Sequence, residues 1–332
     1  MQYISGYRTN LRTKLPLLLV ALGLAMPMAL VQAADTYPSR PVRIVTPAAP
    51  GGTTDFLARL LAAHLSKVWS QQAVVDNRGS ASGVNGAQIV QEAAPDGYTL
   101  LIPYHQHTVN AALLPKLPYH PVNDFTPITQ MTAGGLLLVV NLSHPAKNAK
   151  DFVQWSKTTK DPINFGSAGI GSGGHLAGEL YKLMTGTKGQ HIPYKGTGPA
   201  AIGLIGGEYH YNFMGLTGAF AQVRGGKLRA IAVSGPKRIK AAPDVPALAE
   251  VVPGFSVVGW YGVVAPAKLP KPLLTTIHAE IAKFVKSPEF GKVAENNGSE
   301  AVTNSPEEFR QFMLADMKKW SEVVKSAGIK VQ

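Results

Sequence analysis

The chain contains no cysteine, and this absence removes several classes of chemistry at once. Disulfide frameworks, cysteine-ligated zinc, iron–sulfur clusters and thiol catalysis all require that residue. Charged residues are also few, at 16% against 45% hydrophobic residues, and this balance argues against a disordered chain. No second long apolar run follows residue 30. With 332 residues, the chain is long enough for two domains or two lobes.

The N-terminus has the order of an export signal. Basic residues and no acidic residue occur in 1–14, an apolar run covers 17–30, and Val31-Gln32-Ala33 offers compact residues on either side of Gln32. A transmembrane anchor is the alternative, but the apolar run is short and interrupted by a glycine and a proline. We therefore predict a signal peptide over 1–33, cleaved near Ala33, and a periplasmic protein. Because no cysteine follows that cut, a lipid-anchored form is excluded.

The net charge is positive, with 32 Lys and Arg against 20 Asp and Glu. Nucleic-acid binding is one interpretation of a basic chain. The basic residues are scattered and form no long run, so we predict a solvated basic surface and no nucleic-acid partner. Such a surface attracts anionic solutes weakly.

Short β-branched runs alternate with amphipathic segments in the first part of the chain. Strands are predicted over 42–45, 72–75 and 98–102, with a helix from residue 53 and another ending near residue 94. This βαβαβ order predicts a parallel sheet with crossover helices.

The same alternation continues through the middle of the chain. Further strands are predicted over 136–140, 163–165, 209–213 and 228–232, and a helix over 175–185. From Leu273 onward the chain is predicted to be mainly helical. The α/β class therefore holds for the whole sequence.

Three strand–loop–helix connections, over 51–55, 79–83 and 166–175, are rich in glycine and hydroxyl residues. Glycine lets the backbone approach a ligand closely, and the first turn of a helix presents unpaired N–H groups with partial positive charge. Such loops suit a carboxylate or a phosphate, although a single one is ordinary turn chemistry at least as often. Three at the carboxyl ends of parallel strands predict one anion-binding cleft.

The sharper catalytic motifs are all incomplete. The run over 169–174 resembles a dinucleotide fingerprint but lacks its final spacing and its acidic residue, and no Walker A motif occurs. Ser172 follows Ile170 where a nucleophile elbow needs glycine two residues earlier. His105 and His107 would share one face of a strand, but no carboxylate motif accompanies them. A ligand-facing and a purely structural His105 stay equally open.

We therefore predict no catalytic residue, no cofactor and no metal, and a protein that is not an enzyme. The alternative hypothesis is a secreted α/β hydrolase or oxidoreductase that acts on a small organic acid through its glycine-rich loops. Stoichiometric binding with unchanged ligand separates the first hypothesis from the second.

Several motifs in a fixed order carry a resemblance across the whole chain after the signal. The motifs are Tyr37 to Val45, Pro50-Gly51-Gly52-Thr53-Thr54-Asp55, Val75-Asp76-Asn77-Arg78, Pro95 to Leu101, Asp124-Phe125-Thr126-Pro127-Ile128, Pro193 to Ala200, Gly225 to Val233 and Pro243-Asp244-Val245-Pro246. By these motifs the chain resembles the Bug family, the TctC-like periplasmic solute receptors of tripartite tricarboxylate transporters.

The resemblance implies a two-lobed α/β periplasmic binding protein, of the Venus-flytrap and type II-like class, in which each lobe is a mixed sheet with flanking helices. We expect lobe 1 to comprise 34–136 and 257–332 and lobe 2 to comprise 137–256, with the ligand cleft between them. The resemblance further implies a small carboxylate ligand, often a dicarboxylate, held by backbone amides, hydroxyls and water. Membrane permease subunits are the implied partners, and we expect a monomer.

The resemblance also implies a set of ligand contacts. Those in lobe 1 are Gly52, Thr53 and Asp55, and those in lobe 2 are Ser167, Gly171, Ser172, His175, Tyr194, Lys195, Gly196 and Thr197. Asp55 and Lys195 also have purely structural interpretations, at a helix start and on a solvent-exposed turn. Arg78 is expected to pair with a nearby acid rather than with ligand.

One departure from the family pattern affects the ligand prediction. Where the family usually has a glycine run, this chain has Ser80-Ala81-Ser82, and we favour extra hydrogen bonds from Ser80 and Ser82 to a carboxylate over tolerated surface variation. The rings of Tyr104 and His105 could stack on an aromatic ligand. An aromatic dicarboxylate such as terephthalate is therefore the leading prediction, with a linear dicarboxylate close behind.

The implied fold predicts a hinged closure. Crossings near 136–141 and 254–258 should join the lobes, and closure should bring Thr53 and Ser80 toward Ser167 and Ser172. The site would then hold both ends of a dianion and exclude water.

Overall fold

The computed structural model describes residues 37–48, 50–51, 53–79, 83–194 and 196–329. The predicted signal peptide over 1–33 lies outside these residues. Within the described part of the chain, no helix is both long and apolar enough to cross a membrane.

The first part of the chain alternates strands and helices, as predicted. Its elements are β1 (Val42–Thr46), α1 (Thr53–Trp69), β2 (Ala73–Asn77), α2 (Val84–Gln91), β3 (Thr99–Leu101) and α3 (Gln106–Leu113). Strands β2, β1 and β3 are adjacent and parallel, so the predicted βαβαβ unit is confirmed. Residues 104–107 are not a strand, because β3 ends at Leu101 and α3 begins at Gln106.

The middle of the chain starts with a long strand and then alternates again. Its elements are β4 (Phe125–Asn141), α4 (Ala149–Thr158), β5 (Phe165–Ser167), α5 (Gly173–Thr185), β6 (His191–Pro193), α6 (Thr197–Ile205), β7 (Tyr211–Gly215), α7 (Leu216–Arg224) and β8 (Leu228–Val233). The strands predicted over 163–165 and 209–213 begin two residues later than expected. Asn148 and Ser172 cap α4 and α5, each accepting a backbone N–H of the first turn.

The last part returns to the first sheet and is mainly helical. Its elements are β9 (Val258–Pro266), α8 (Lys271–Val285), α9 (Pro288–Asn296), β10 (Glu300–Ala301) and α10 (Pro306–Ala327). A capping box between Ser305 and Glu308 starts α10, and Gly328 ends it in the left-handed conformation.

β4 connects two groups of strands into one mixed sheet. Among the described residues the strand order is β2-β1-β3-β9-β4-β7-β5-β6, and β8 and β10 also pair with β4. Residues 125–135 of β4 pair with β9, whereas residues 136–141 pair with β7 and β8. The change of partner falls beside the predicted crossing at 136–141. The lobe boundaries themselves stay a prediction.

Apolar packing links the two groups of strands. One cluster of buried side chains joins Val109 of α3, Leu176 of α5 and Trp320 near the end of α10. Phe309 and Met313, near the start of α10, belong to a different cluster with Trp260 of β9. The single helix α10 therefore contributes to two cores.

Candidate ligand-binding cleft

Two sets of strand–helix connections face each other where β4 changes partners. β3 is antiparallel to β9, and β9 is antiparallel to β4, so β1 to β3 run in the direction of β4. β5 to β7 are mutually parallel and run against β4. The carboxyl ends of the two sets are therefore directed toward each other. Helices α1 to α3 and α5 to α7 follow these ends, where α/β proteins bind ligands.

Asp55 fixes the loop that leads into α1. Its Oδ2 accepts hydrogen bonds from the Gly51 N–H at 2.9 Å and from Arg59 Nε at 3.0 Å, and its Oδ1 accepts one from Asn77 Nδ2 at 3.0 Å. Hydrogen bonds from Arg59 and Gly51 lower the pKa of Asp55 to about 2. The residue is only 4% exposed. Asp55 therefore shapes the loop, and a direct ligand contact stays a prediction.

The arginines beside these loops are paired with carboxylates. Arg78 Nε donates to both oxygens of Asp76, at 2.9 Å and 3.1 Å, and Arg43 Nε donates to Asp76 Oδ2 at 2.8 Å. This pairing accords with the structural interpretation of Arg78. Both arginines are held by the same carboxylate, so the cluster keeps a net positive charge, and the terminal amino groups of Arg78 donate to no described residue.

Two rings that follow β3 and one ring in the middle of β9 lie together. Tyr104 stacks on Tyr261 with their centroids 6.2 Å apart, and His105 meets Tyr104 edge-on at 5.7 Å. The exposed first residue of α1, Thr53, lies close enough to the Tyr261 hydroxyl to lower its pKa, but burial outweighs this effect and raises that pKa. Thr53 and His105 thus both lie beside an aromatic surface.

His107 differs from His105 in its surroundings. Its Nε2 lies 2.9 Å from the Pro121 carbonyl oxygen, and its ring stacks on Tyr119 and meets Phe125 edge-on. Burial lowers the pKa of His107 to about 4. His107 is therefore a core residue whose ring is hydrogen-bonded. A strand would have put His105 and His107 on the same face, whereas the helix α3 directs them to different faces.

Gly171 and His175 build the loop before α5. The Gly171 N–H donates to His175 Nδ1 at 3.0 Å, so Nδ1 carries no proton. Gly171 has φ +77°, and a Cβ there would lie 2.7 Å from Leu113 Cδ1. The positive φ is what favours glycine here, and a Cβ would in addition displace the Leu113 methyl group of α3.

The Ser167 hydroxyl already has hydrogen-bond partners within the protein. It is 0% exposed, and its Oγ donates to the Gly169 carbonyl at 2.9 Å and lies 2.6 Å from His191 Nε2. The rings of His175 and His191 stack 3.7 Å apart. Burial lowers the pKa of His175 to about 4 and that of His191 to about 3, so both rings are neutral at neutral pH. The ligand contacts predicted for Ser167 and His175 stay predictions.

The first turn of α5 has hydrogen-bond donors without an acceptor among the described residues. Ser172 Oγ accepts the His175 N–H at 3.3 Å, which leaves its hydroxyl proton available. The N–H groups of Gly173 and Gly174 donate to no described residue. These three neutral donors stand at the positive end of a 13-residue helix.

Tyr194 and Thr197 flank the start of α6. The Tyr194 hydroxyl donates to Glu208, and burial raises the pKa of Tyr194 to about 12. Thr197, the first residue of α6, follows Gly196 at φ +114° and is exposed. Thr197 is thus accessible to a ligand, whereas the Tyr194 hydroxyl has a protein partner.

Four residues of the predicted set lie outside the described residues. They are Gly52, Ser80, Ser82 and Lys195. In the described part of the chain, no group of three His, Cys, Asp or Glu side chains is arranged to hold a metal ion.

Sequence reasoning missed Tyr261 and a half-buried hydrogen-bond network around the Asp316 carboxylate. Asp316 Oδ2 accepts from Thr108 Oγ1 at 2.6 Å and Trp260 Nε1 at 3.0 Å, and Oδ1 accepts from Trp320 Nε1 at 2.9 Å. Of these partners, only Trp320 could have been predicted from the sequence, because it lies four residues after Asp316 on the same helix. The other partners come from α3 and β9.

A separate groove of about 580 Å³ lies between residues 235–241 and 291–301, over Gly134 and Gly135 of β4. None of the predicted ligand contacts lines it.

Comparison with known proteins gives consistent matches along the chain. The family profile described as "Tripartite tricarboxylate transporter family receptor" matches residues 57–329. Protein BugT of Bordetella pertussis is 31% identical over 98% of this chain and 99% of its own length.

Solved structures resemble the chain over most of its length. The periplasmic binding protein BugD is 32% identical with a TM-score of 0.73, covering 89% of this chain and 100% of that one. An R. palustris protein solved with adipate is 33% identical, TM-score 0.76, over 89% and 99%. MatC of Rhodopseudomonas palustris, solved with bound malate, is 31% identical, TM-score 0.72, over 87% and 100%. These likenesses confirm the predicted fold class, a two-lobed α/β periplasmic binding protein.

Proposed function

Because the chain belongs to the tripartite tricarboxylate transporter receptor family, we propose that it captures a small dicarboxylate in the periplasm and delivers it to the permease of such a transporter. The signal peptide over 1–33 and its cleavage near Ala33 are part of this proposal. So are a monomeric state and a cleft between lobe 1 (34–136 and 257–332) and lobe 2 (137–256).

The observation that carries the ligand class is the first turn of α5. Ser172, Gly173 and Gly174 present neutral donors there, while Arg43 and Arg78 both pair with Asp76. Neutral donors at a helix N-terminus suit a carboxylate, because hydrogen bonds to an ionised acceptor are about twice as strong as neutral ones. The adipate and malate bound by two structural neighbours support this class of ligand.

The aromatic surface supports a finer proposal. Tyr104, Tyr261 and His105 offer flat faces beside Thr53, and a ring between two carboxylates could stack there. An aromatic dicarboxylate such as terephthalate is therefore our first choice, and a linear dicarboxylate is the second.

One feature favours the competing hypothesis of an enzyme: Ser167 contacts His191, as a nucleophile contacts its base. Ser167 is fully buried and its hydroxyl also bonds the Gly169 carbonyl, so no substrate could reach it in this conformation. Burial lowers the pKa of His191 to about 3, which makes it a weak base. No described carboxylate hydrogen-bonds His191. We therefore propose that bound ligand is released unchanged.

A thermal-shift screen tests the proposal, since a ligand that binds only the native state raises its melting temperature. The panel contains terephthalate, adipate, malate, a tricarboxylate and benzoate as a monocarboxylate control. We expect dicarboxylates to raise the melting temperature most, and chromatography to recover them unchanged. A panel without any shift, or conversion of a bound ligand, would contradict the proposal.

A further inference from the structure

His105 carries an unpaired polar atom inside the cleft region. Its Nε2 is buried and has no hydrogen-bond partner among the described residues. A Cβ added to Gly173 would lie 3.4 Å from this atom and 3.6 Å from Leu136 Cδ1. Nε2 therefore lies against the first turn of α5, across the junction between the two sets of connections.

The charged and titratable groups around His105 do not satisfy Nε2. Tyr104 contacts the ring edge-on, and α5 approaches it at Gly173, which has no side chain. From α10, the negative Asp316 raises the pKa of His105, but burial outweighs it and lowers that pKa. Both Asp316 oxygens already accept from Thr108 and two indole N–H groups.

We propose that His105 makes closure of the cleft conditional on a ligand oxygen, which accepts a hydrogen bond from Nε2 and from the first-turn N–H groups of α5. This inference rests on the proposed function. An empty cleft that closes buries Nε2 without a partner, and a buried unsatisfied polar group opposes the state that buries it. A carboxylate oxygen that enters while the cleft is open, and then bridges His105 and Gly173, removes that penalty. An apolar ligand end, having no acceptor, does not.

Selectivity follows from the same geometry. His105 belongs to the connection after β3, and Gly173 belongs to the connection after β5. One ligand oxygen must therefore accept hydrogen bonds from both groups of connections at once. Ligands with an acceptor at this end promote closure, and ligands whose carboxylate is replaced by an amide or ester bind less well because their oxygen is a weaker acceptor.

The test compares His105→Leu and His105→Gln with the parent. Leucine fills much of the ring's space without a polar atom, and glutamine restores a donor. We expect calorimetry with the best dicarboxylate of the screen to show about ten- to a hundredfold weaker binding for His105→Leu. His105→Gln should stay within about fivefold of the parent. Parent-like affinity in His105→Leu, or equal losses in both variants, would overturn the proposal.

His144→Leu is the matched control, because the buried His144 Nε2 also lacks a partner and its ring packs against Trp155, away from the cleft. We expect it to bind like the parent. Equal weakening in this control would show a general effect of losing a buried histidine and would overturn the proposal.

Ligand-free X-ray scattering tests closure without any ligand. His105→Leu should have a smaller radius of gyration than the parent, because leucine removes the penalty on the empty closed state. An unchanged radius would contradict the closure role. If the parent binds no carboxylate, the proposed function fails, while this comparison still decides whether His105 opposes closure.

Discussion

Mild acid should destabilise the protein through its buried neutral histidines, and His191 gives the sharpest test. An unfolded histidine takes up a proton near pH 6.5, whereas burial and the neighbouring His175 lower the pKa of folded His191 to about 3. Between these values the unfolded state binds more protons, so stability falls as pH falls. The full contribution is present above pH 6.5 and is lost progressively toward pH 3.

The size of the effect follows from proton linkage. Integrated from pH 7.5 to pH 5, one histidine with this shift removes about 2 kcal/mol from the free energy of unfolding. His107, His144 and His175, whose pKa values burial lowers to about 4, act in the same direction. The carboxyl group of Asp55, with a pKa of about 2, titrates below this window.

The measurement is urea unfolding of the parent and of His191→Gln at several pH values from 7.5 to 5. Glutamine does not titrate and can still hydrogen-bond Ser167. We expect the variant to lose about 2 kcal/mol less than the parent over this range. Identical pH dependence in the two proteins would refute the reasoning, because it would mean that folded His191 takes up its proton as readily as unfolded histidine.

Three other substitutions test the loops. Asp55→Ala should lower the free energy of unfolding by about 1–3 kcal/mol, since the Gly51 N–H loses its acceptor and Asn77 loses one of its acceptors, and an unchanged urea midpoint would contradict this. Gly171→Ala should cost about 1–3 kcal/mol through its positive φ and the contact with Leu113, measured as a lower melting temperature; a parent-like value would argue against this loop conformation. Ser172→Ala should weaken dicarboxylate binding about tenfold to a hundredfold by calorimetry, with Ser172→Thr as the control that keeps the hydroxyl; equal binding by all three proteins would remove Ser172 from the site.

The sequence predicted the elements whose signals are local. The β-branched run before Pro47 and the leucine spacing after Thr53 were sufficient for β1 and α1. β4 was predicted over 136–140 only, because Gly134 and Gly135 resemble a break in a strand. Its earlier residues are held by pairing with β9, which comes more than a hundred positions later. Such pairing leaves no trace in a local pattern.

The candidate site divides in the same way. The glycine-rich loops followed from turn chemistry, but α5 begins two residues earlier than predicted, with Ser172 as its cap. The roles of individual polar residues did not, because partners far along the chain decide whether a side chain is free. Ser167 is occupied by His191, and Asp55 is held by Asn77. His105 and His107, two residues apart, differ because only His107 meets a carbonyl, from Pro121.

The helix α10 ties the melting of one half of the molecule to that of the other. Phe309 and Met313 are buried in the cluster around Trp260, while Trp320 and Val324 are buried in the cluster around Phe213. If either cluster unfolds, part of α10 loses the apolar packing that holds it. Calorimetry should therefore record a single cooperative transition, even though the fold has two lobes. Deleting the chain from Trp320 onward should broaden or divide that transition rather than merely lower its midpoint.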